Sequence, residues 1–573
     1  MKKIPFVLFL FSLFFAYSQE SLKSAEEEYF DFLSLLGIAE RPTVNYRTLS
    51  DSEWKIIDEK TSEEEKTSHL WENLNLGKKR ILWESGRKIE NFFFNGIKQD
   101  IRLKIYGPEW FNSVNTHTPY GQNDGVLWQG RGYNSKFSGG VRLEAYGFEL
   151  TIKPEVSFSQ NMNFEMLKSG YENEYGYFWG YGTSNGIDLP QRFGSKPFFD
   201  FSFGDSEVRW SWHTFTVGFG TQSPWLGPAV LNPMLGSNNA SPYPKFDIGL
   251  RKTKIVIPKL GWHLGSVEAR VWTGLLEESK YFDSDKTNDK RMVNAISVSY
   301  SPPFIPGLSL GANRIFLTYW RPENFKQVFR LFYQDFHNTL ASSGNDEDQK
   351  ISFFADWKFS KIGLEIYGEF GRDDFSIDEI SNPFHTAIYT VGLKQRIPLD
   401  FKKNPKIKGP FQGLDSEILF EWNNFEISQD FQLQWNYMGY YAHHFVKQGY
   451  TNKGQILGAG SGYFGNSQYL SYVIYHKKGS FSLLFHRFCP DNNYINNKSI
   501  NLDMSKPESG KVNAKYYSNF ETYLVYGIGG KYFFTDSFSV DLKLNFMNIF
   551  NYNIKRNNKF YNFYASMSLK YNF

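Results

Sequence analysis

Tyr561-Asn562-Phe563-Tyr564-Ala565-Ser566-Met567-Ser568-Leu569-Lys570-Tyr571-Asn572-Phe573 runs to the carboxyl end of the 573-residue chain. Tyr561, Phe563, Ala565, Met567, Leu569, Tyr571 and Phe573 alternate with Asn562, Tyr564, Ser566, Ser568, Lys570 and Asn572. A period of two sends successive side chains to opposite faces of a strand, so this segment has one lipid-compatible face and one mostly polar face. That division suits the wall of a bilayer-spanning β-barrel.

The same alternation recurs upstream. Phe538, Val540, Leu542, Leu544 and Phe546 form one set, Ile351, Phe353, Ala355, Trp357 and Phe359 another, and Ile362, Leu364, Ile366 and Phe370 a third. Phe148, Leu150, Ile152, Val156 and Phe158 alternate with Glu149, Thr151, Lys153, Glu155 and Ser157, broken by Pro154, which lacks a ladder donor and predicts a bulge. A soluble β-sandwich is the alternative, but it has no need of an apolar face on so many strands. From about residue 96 onward, roughly 480 residues at about 10 per strand plus connections accommodate some 14 to 20 strands, preferably an even number. Asn123-Asp124-Gly125, Ser343-Gly344-Asn345-Asp346 and Lys477-Lys478-Gly479 read as connections, because Gly, Asn and Asp tolerate positive φ.

Composition agrees. The chain has 56 Phe, 36 Tyr and 15 Trp, the rings that barrels place in interfacial girdles. Mean hydropathy is −0.47, and no segment approaches the roughly 20 apolar residues of a spanning helix. Lys2 and Lys3, the apolar run Phe6 to Phe15, and Ala16-Tyr17-Ser18 form a signal peptide, 1–18, cleaved after Ser18. No Cys stands at that point, which excludes lipoprotein processing. Loss of Lys2 and Lys3 lowers the formal charge from +3 to +1, so a general affinity for nucleic acid is not expected. The single Cys489 forms no intrachain disulfide, and its expected role is packing.

Residues 19–95 read as a small periplasmic helical region that packs on or plugs one end of the barrel, 96–573, with a flexible linker as the alternative. Ser24 and Glu27 form a possible capping box, Tyr29, Phe32, Leu33 and Leu36 follow at helical spacing, and Gly37 ends the helix before Pro42. A second helical start is expected at Ser50 and Glu53, leading into Trp54 and Ile57.

Ser223-Pro224-Trp225-Leu226-Gly227-Pro228 and Gly236-Ser237-Asn238-Asn239-Ala240-Ser241-Pro242-Tyr243-Pro244 resemble the central signature of the capsule assembly family called Wzi. In that family a Trp-Gly-Pro turn precedes a Ser/Thr-Asn-Ala-x-Pro run; here Leu226 is inserted into the first half. Asn45-Tyr46-Arg47-Thr48-Leu49-Ser50, Asp348-Gln349-Lys350, Glu365-Ile366-Tyr367-Gly368-Glu369, Tyr441-Ala442-His443-His444-Phe445 and Gly449 to Gly458 match in the same order. A terminal aromatic such as Phe573 also resembles the insertion signal of bacterial outer-membrane barrels. The resemblance implies an antiparallel outer-membrane barrel of about 18 strands with a periplasmic helical element. It further implies binding of capsular polysaccharide or another exopolysaccharide at the cell surface, lectin-like and without export through the barrel.

Sugar recognition needs aromatic faces for ring C–H surfaces and planar amides or carboxylates for hydroxyls. Trp179, Tyr181, Trp225 and Tyr243 offer rings, and Asn185, Asp188, Asn238 and Asn239 offer polar partners, all in turn-rich sequence. The competing reading has Pro224, Gly227, Pro242 and Pro244 define a rigid loop folded into the barrel, with Asn238 and Asn239 capping backbone groups. His443 and His444, read as neighbours on a strand, point to opposite faces and predict no metal site. Asp373 and Asp374 read as a solvated turn. No nucleophile-elbow, zinc-protease or phosphate-loop motif is present, so neither catalysis nor a cofactor is expected. A diffusion pore and a barrel hydrolase stand as alternatives, and the oligomeric state is left open.

Overall fold

Eighteen antiparallel strands close into a single barrel. The computed structural model describes residues 25–41, 45–47, 55–56, 71, 81–85, 97, 100–178, 186–257, 259–329, 331, 347–373, 387–399, 414–426, 440–463, 465–491 and 519–573. The signal sequence, Ser24, Ser343 to Asp346 and Asp374 lie outside them.

The wall strands are β1 (Ile101–Asn115), β2 (Gly132–Ala145), β3 in two pieces (Phe148–Ile152, Glu155–Ser159), β4 in two pieces (Phe198–Ser202, Glu207–Trp212), β5 (Phe215–Gly220) and β6 (Lys245–Ile257). They continue as β7 (Trp262–Glu277), β8 (Lys290–Ser301), β9 (Leu308–Tyr319), β10 (Glu347–Phe359), β11 (Leu364–Asp373) and β12 (Ala387–Arg396). The circuit is completed by β13 (Asp415–Asn424), β14 (Asn466–His476), β15 (Gly479–Cys489), β16 (Thr522–Phe533), β17 (Phe538–Phe550) and β18 (Lys559–Tyr571). β18 pairs with β1 from Tyr564↔Asn115 to Lys570↔Glu109, which seals the wall. A short strand, Ile81–Ser85, adds to the start of β1. The long connections 160–197, 221–244, 425–465 and 490–521 all leave one end, while short turns at 146–147, 213–214, 360–363 and 477–478 join strands at the other.

The alternation seen in sequence is the alternation of the wall. On β18, Tyr561, Phe563, Met567 and Tyr571 are exposed outward, while Asn562, Tyr564, Ser566 and Lys570 are buried inward. On β3, Phe148, Leu150, Ile152 and Val156 face out, and Glu149, Thr151, Lys153, Glu155 and Ser157 face in. Pro154 does break β3, yet β3 keeps its register with β2, pairing Val141↔Ile152 and Ser138↔Glu155. The expected bulge falls instead on the next strand: Thr151↔Glu207 and Glu155↔Ser202 leave an extra residue between the two pieces of β4. At the bulge Lys153 N donates to the Ser206 hydroxyl at 2.8 Å in place of a ladder carbonyl, and Gly204 at φ 56° takes up the slack.

Many buried charges on the inner face are paired, which offsets part of their desolvation. Arg209 meets Glu207 at 2.9 Å and Asp247 at 2.7 Å, and Arg270 meets Asp247 at 2.6 Å. Asp373, expected in a solvated turn, is instead buried at the end of β11 and bonded to Lys350 at 2.7 Å, because the three N–H donors of that ammonium serve it as well as Asp348.

The short-turn end is closed by helix α1 (Ala25–Leu35). Gly37 at φ 73° ends it in a Schellman-type cap, with Ile38 N donating to Leu33 O at 2.9 Å. Phe32 stacks on Tyr475 at 4.6 Å, Tyr29 on Trp71 at 4.1 Å, and Trp71 abuts Phe533 at 5.0 Å. Asp31 bonds to both Arg41 and Lys394. Ser50, Glu53, Trp54 and Ile57 of the second helical start lie outside the described residues, and between them Lys55–Ile56 pairs with Ala39–Glu40 as a two-residue strand. That pairing satisfies the backbone groups of Glu40 and Ala39, which a helix would leave without partners.

Candidate functional site

After β5 the chain turns into the lumen rather than away from it. Val230, Leu231 and Asn232 direct successive amides at the Glu421 carboxylate on β13, at 2.7, 3.1 and 2.8 Å. Ala229 and Met234 donate to Glu369 on β11 at 3.1 and 3.2 Å. Successive N–H groups on one carboxylate form an anion nest, and the charge-assisted bonds let both the loop and the glutamates be buried. Tyr441 Oη donates to Met234 O at 2.8 Å, Tyr450 Oη to Leu235 O at 2.6 Å, and Ser237 N to Leu457 O at 3.0 Å.

A piece of the N-terminal segment joins this knot. Arg47 and Trp225 form an antiparallel bridge, and Asn45 Oδ1 accepts from Gly227 N at 2.8 Å. Asn45 Nδ2 reaches Ser297 at 2.6 Å and Asn313 at 2.8 Å on the far wall, and the Tyr46 ring lies 4.8 Å from the Arg270 guanidinium. The lumen is therefore filled midway. Between this knot and α1 lies a cavity of about 340 Å³, whose lining includes Lys531, Asp541, Lys543 and Lys570.

Trp225 is 1% exposed and donates Nε1–H to Ala229 O at 2.9 Å. Tyr243 is buried, its hydroxyl accepting from Trp272 Nε1 at 3.3 Å. Asp188 is buried and accepts from Ser279 N and Oγ at 2.6 and 2.5 Å; burial raises its pKa despite those bonds. Asn238 O accepts from Gly125 N at 2.6 Å. Asn239 Nδ2 donates to Ile456 O at 2.9 Å, and its Oδ1 accepts from Asn123 N at 3.2 Å. The Asn239 side chain caps backbone groups as the rigid-loop reading expects, whereas Asn238 ties loops through its main-chain carbonyl and its buried Oδ1 meets no donor among the described residues. Trp179, Tyr181 and Asn185 lie outside the described residues. His443 and His444 sit in a loop rather than on a strand, so their rings are adjacent at 4.5 Å; His443 Nδ1 accepts from Phe445 N and Val446 N, both at 3.2 Å. Among the described residues no cluster has the makings of a metal site.

The half-exposed rings stand elsewhere, at the long-loop mouth. Trp128, Phe193, Tyr281 and Tyr175 form a strip with successive centroids 5.1, 5.8 and 5.8 Å apart. Beside Trp128 is a cleft of about 110 Å³ whose lining includes Gln122, Gln129, Asn239 and Gln455. The loop under the strip is pinned. Gln191 Nε2 donates to Leu167 O at 3.1 Å and Gly176 O at 2.9 Å, and Arg192 Nε donates to Asn161 Oδ1 at 3.2 Å. Of the candidate sugar-binding residues read from sequence, Asn239 alone among those described lines this cleft. The other rings belong to three separate loops, and nothing local in the sequence joins them.

The family model for the capsule assembly protein Wzi matches residues 114–487, about two thirds of the chain. The chain belongs to the Wzi family. In structure, the chain is similar to Wzi of Escherichia coli, an outer-membrane protein involved in group 1 capsule assembly and described as a carbohydrate-binding β-barrel. The likeness has a TM-score of 0.52 at 13% identity, over 81% of this chain and 84% of that one. Pseudomonas putida OprB is matched at TM-score 0.34 and 11% identity, over 82% of this chain and 93% of the other. No curated protein matches in sequence. The fold is that of an outer-membrane β-barrel.

Proposed function

We propose that this Wzi-family barrel binds and organises capsular polysaccharide or another exported polysaccharide at the cell surface, acting as a lectin without turnover. In this reading the signal peptide 1–18 is removed, the region 19–95 lies in the periplasm, and 96–573 spans the outer membrane. Short turns face the periplasm and long loops the exterior, as is usual for such barrels.

The observation that carries the reading is the aromatic strip Trp128-Phe193-Tyr281-Tyr175 beside an amide-lined cleft, held above a filled lumen. Rings and amides match the two halves of a sugar, and pinned loops lower the ordering entropy of binding. The filled lumen argues against a diffusion pore.

The test compares cell-bound and released polysaccharide in the parent strain, a clean deletion, and strains complemented with the parent gene or with Tyr175→Ala/Tyr281→Ala. Intact polymer moves to the medium on deletion and returns with the parent gene. The double variant folds and inserts but restores little retention. No movement of polymer on deletion, with normal total polymer, overturns the reading.

A further inference from the structure

The β6–β7 hairpin outgrows its neighbours. β5 leaves β6 at Phe215↔Leu250 and β8 leaves β7 at Ser266↔Ser301. Yet β6 and β7 keep pairing with each other through Thr253↔Val267, Lys254↔Ser266, Val256↔His263 and Ile257↔Trp262. Residues 252–257 and 259–265 thus project from the short-turn end as a two-stranded ribbon whose outer edges pair with no strand among the described residues. At about 3.3 Å per residue, the ribbon reaches roughly 15–20 Å from Gly265 to its tip.

Ile255, Val256, Leu260, Trp262 and Leu264 on this ribbon are 38 to 63% exposed. An apolar two-stranded ribbon with open edges is a poor state in water. Two observations say what covers it. First, the ribbon continues the lipid-facing belt: Ile248, Val298 and Tyr300 lead to Leu264, and Tyr300 Oη donates to Leu264 O at 2.7 Å. Register shifts at Leu250/Thr253 and Lys254/Val256 supply the breaks at which a ribbon turns away from a barrel wall. Second, its charge has one sign. Arg251, Lys252, Lys254 and Lys259 are basic, and no Asp or Glu occurs between Asp247 and Glu268. Lys252 pairs with the exposed Glu40 at 2.9 Å, while Lys254 and Lys259 are exposed. Lysines flanking Trp and Leu suit a headgroup boundary, where stems and rings sink and ammonium groups stay at phosphate level.

We propose that residues 252–257 and 259–265 form a membrane-surface foot that lies along the leaflet at the short-turn end, with Leu260 and Trp262 at the acyl boundary and Lys254 and Lys259 on anionic phospholipid headgroups. The foot does not depend on the polysaccharide reading.

The test uses the full-length barrel, Cys489→Ser, with a nitroxide on Leu260→Cys or, as an aqueous control, on Lys478→Cys in the turn after β14. The barrel is placed in nanodiscs of phosphatidylglycerol with phosphatidylcholine, or of phosphatidylcholine alone, and relaxation by oxygen is compared with relaxation by an aqueous nickel chelate. With phosphatidylglycerol, the label at 260 favours oxygen and the label at 478 favours nickel. Each lysine near an anionic surface contributes about fivefold, so Lys254→Gln/Lys259→Gln lowers the ratio of immersed to aqueous label at 260 by roughly 25-fold. Both lysines are exposed, so the variant keeps a folded, heat-modifiable barrel. Nickel access at 260 equal to that at 478 in both lipids overturns the proposal, as does immersion indifferent to lipid charge and to the lysines. Shielding from both relaxants with concentration-dependent spin–spin broadening overturns it in favour of a second copy covering the ribbon.

Discussion

Glu421→Ala removes the carboxylate that grips the lumenal loop. The amides of Val230, Leu231 and Asn232 and the Tyr367 hydroxyl, the last at 2.7 Å, then lose their acceptor. Each buried donor left without a partner costs about 1–3 kcal/mol, so four cost roughly 4–12 kcal/mol if the loop stays in place. The loop keeps its two amides on Glu369, Tyr441 Oη on Met234 O and Thr390 Oγ1 on Asn232 O, so unlatching is centred on residues 230–232. Val230 and Leu231 border the lumenal cavity, so water entering there offsets much of the penalty and the low end applies. A net change of about 4 kcal/mol raises the unlatched population roughly a thousandfold. The wall ladders are untouched, and the barrel itself persists. In planar bilayers the parent barrel shows no steady conductance, whereas the variant opens in bursts, and amides 230–232 lose hydrogen-exchange protection while the wall strands keep theirs. Glu421→Gln keeps one acceptor oxygen and gives a smaller effect. A closed Glu421→Ala barrel with amides 230–232 protected as in the parent would refute the latch.

Three further outcomes follow from named contacts. Gly227→Ala acts on the same readouts: Gly227 sits at φ 79°, which costs a residue with Cβ about 1–3 kcal/mol, and its Cβ would collide with Glu369 Oε1. Combined with Glu421→Ala it adds less than its separate effect, since both release one loop; strict additivity would count against a shared latch. Asp31→Asn removes the acid that Arg41 and Lys394 share, so α1 loses about 3 kcal/mol or more of its seat and becomes protease-sensitive while the barrel's melting is unchanged; an equally resistant helix would show that ring packing alone holds it. Burial, with Asp283, Asp188 and Asp289 nearby and against a bond from Gln448, pushes Glu278 up to about 8. A carboxyl raised on folding stabilises its protonated form, so the contribution is full below the unfolded value near 4.5 and is lost as pH rises through about 8. Hydrogen exchange of the 278–289 loop, corrected for intrinsic rates, therefore quickens between pH 6 and 9 in the parent and stays level in Glu278→Gln; a parent profile as flat as the variant's would remove Glu278 as the cause.

The wall was legible because alternation repeats along whole strands and each repeat restates the same burial. Tyr561 to Phe573 alone separates a lipid face from a lumen face, and Gly37 ends α1 as its position predicts. The 221–244 loop keeps two readings, an exposed sugar site and a rigid loop folded into the barrel, and local sequence does not choose between them. Its prolines and glycines declare irregular backbone, but a turn folded inward and one folded outward have the same composition. Trp225 shows the difficulty: a ring facing a sugar and a ring packed on a buried arginine are the same residue in a sequence. A signal for the inward path did exist in Glu369 and Glu421, acidic residues at inward-facing positions of apolar strands, where a buried carboxylate needs donors from somewhere. The mouth offered no such signal, because Trp128, Tyr175 and Tyr281 meet only when the barrel closes.

Most of the segments by which the chain resembles its family meet in one place below the mouth, and only Asn239 and Gln455 of them line the cleft beside Trp128. Asn45 to Arg47, Trp225 to Gly227, Glu369, Tyr441, Tyr450 and Leu457 bond to one another across the lumen, and each contributes a donor or acceptor that another segment lacks. Such a knot tolerates few replacements, because removing any one member strands a buried polar group on its partner. The aromatic strip is under a different constraint. Trp128, Phe193, Tyr281 and Tyr175 are half exposed and owe their spacing to backbone pinned beneath them by Gln191 and Arg192, so the side chains on top can change without opening the barrel. A recognition surface built this way separates closing the lumen, which the knot does with buried hydrogen bonds, from choosing a polymer, which falls to replaceable rings and amides. On this argument, loss of polymer binding in Trp225→Ala would report a loosened platform, whereas loss in Tyr281→Ala with the lumen still closed would report a contact.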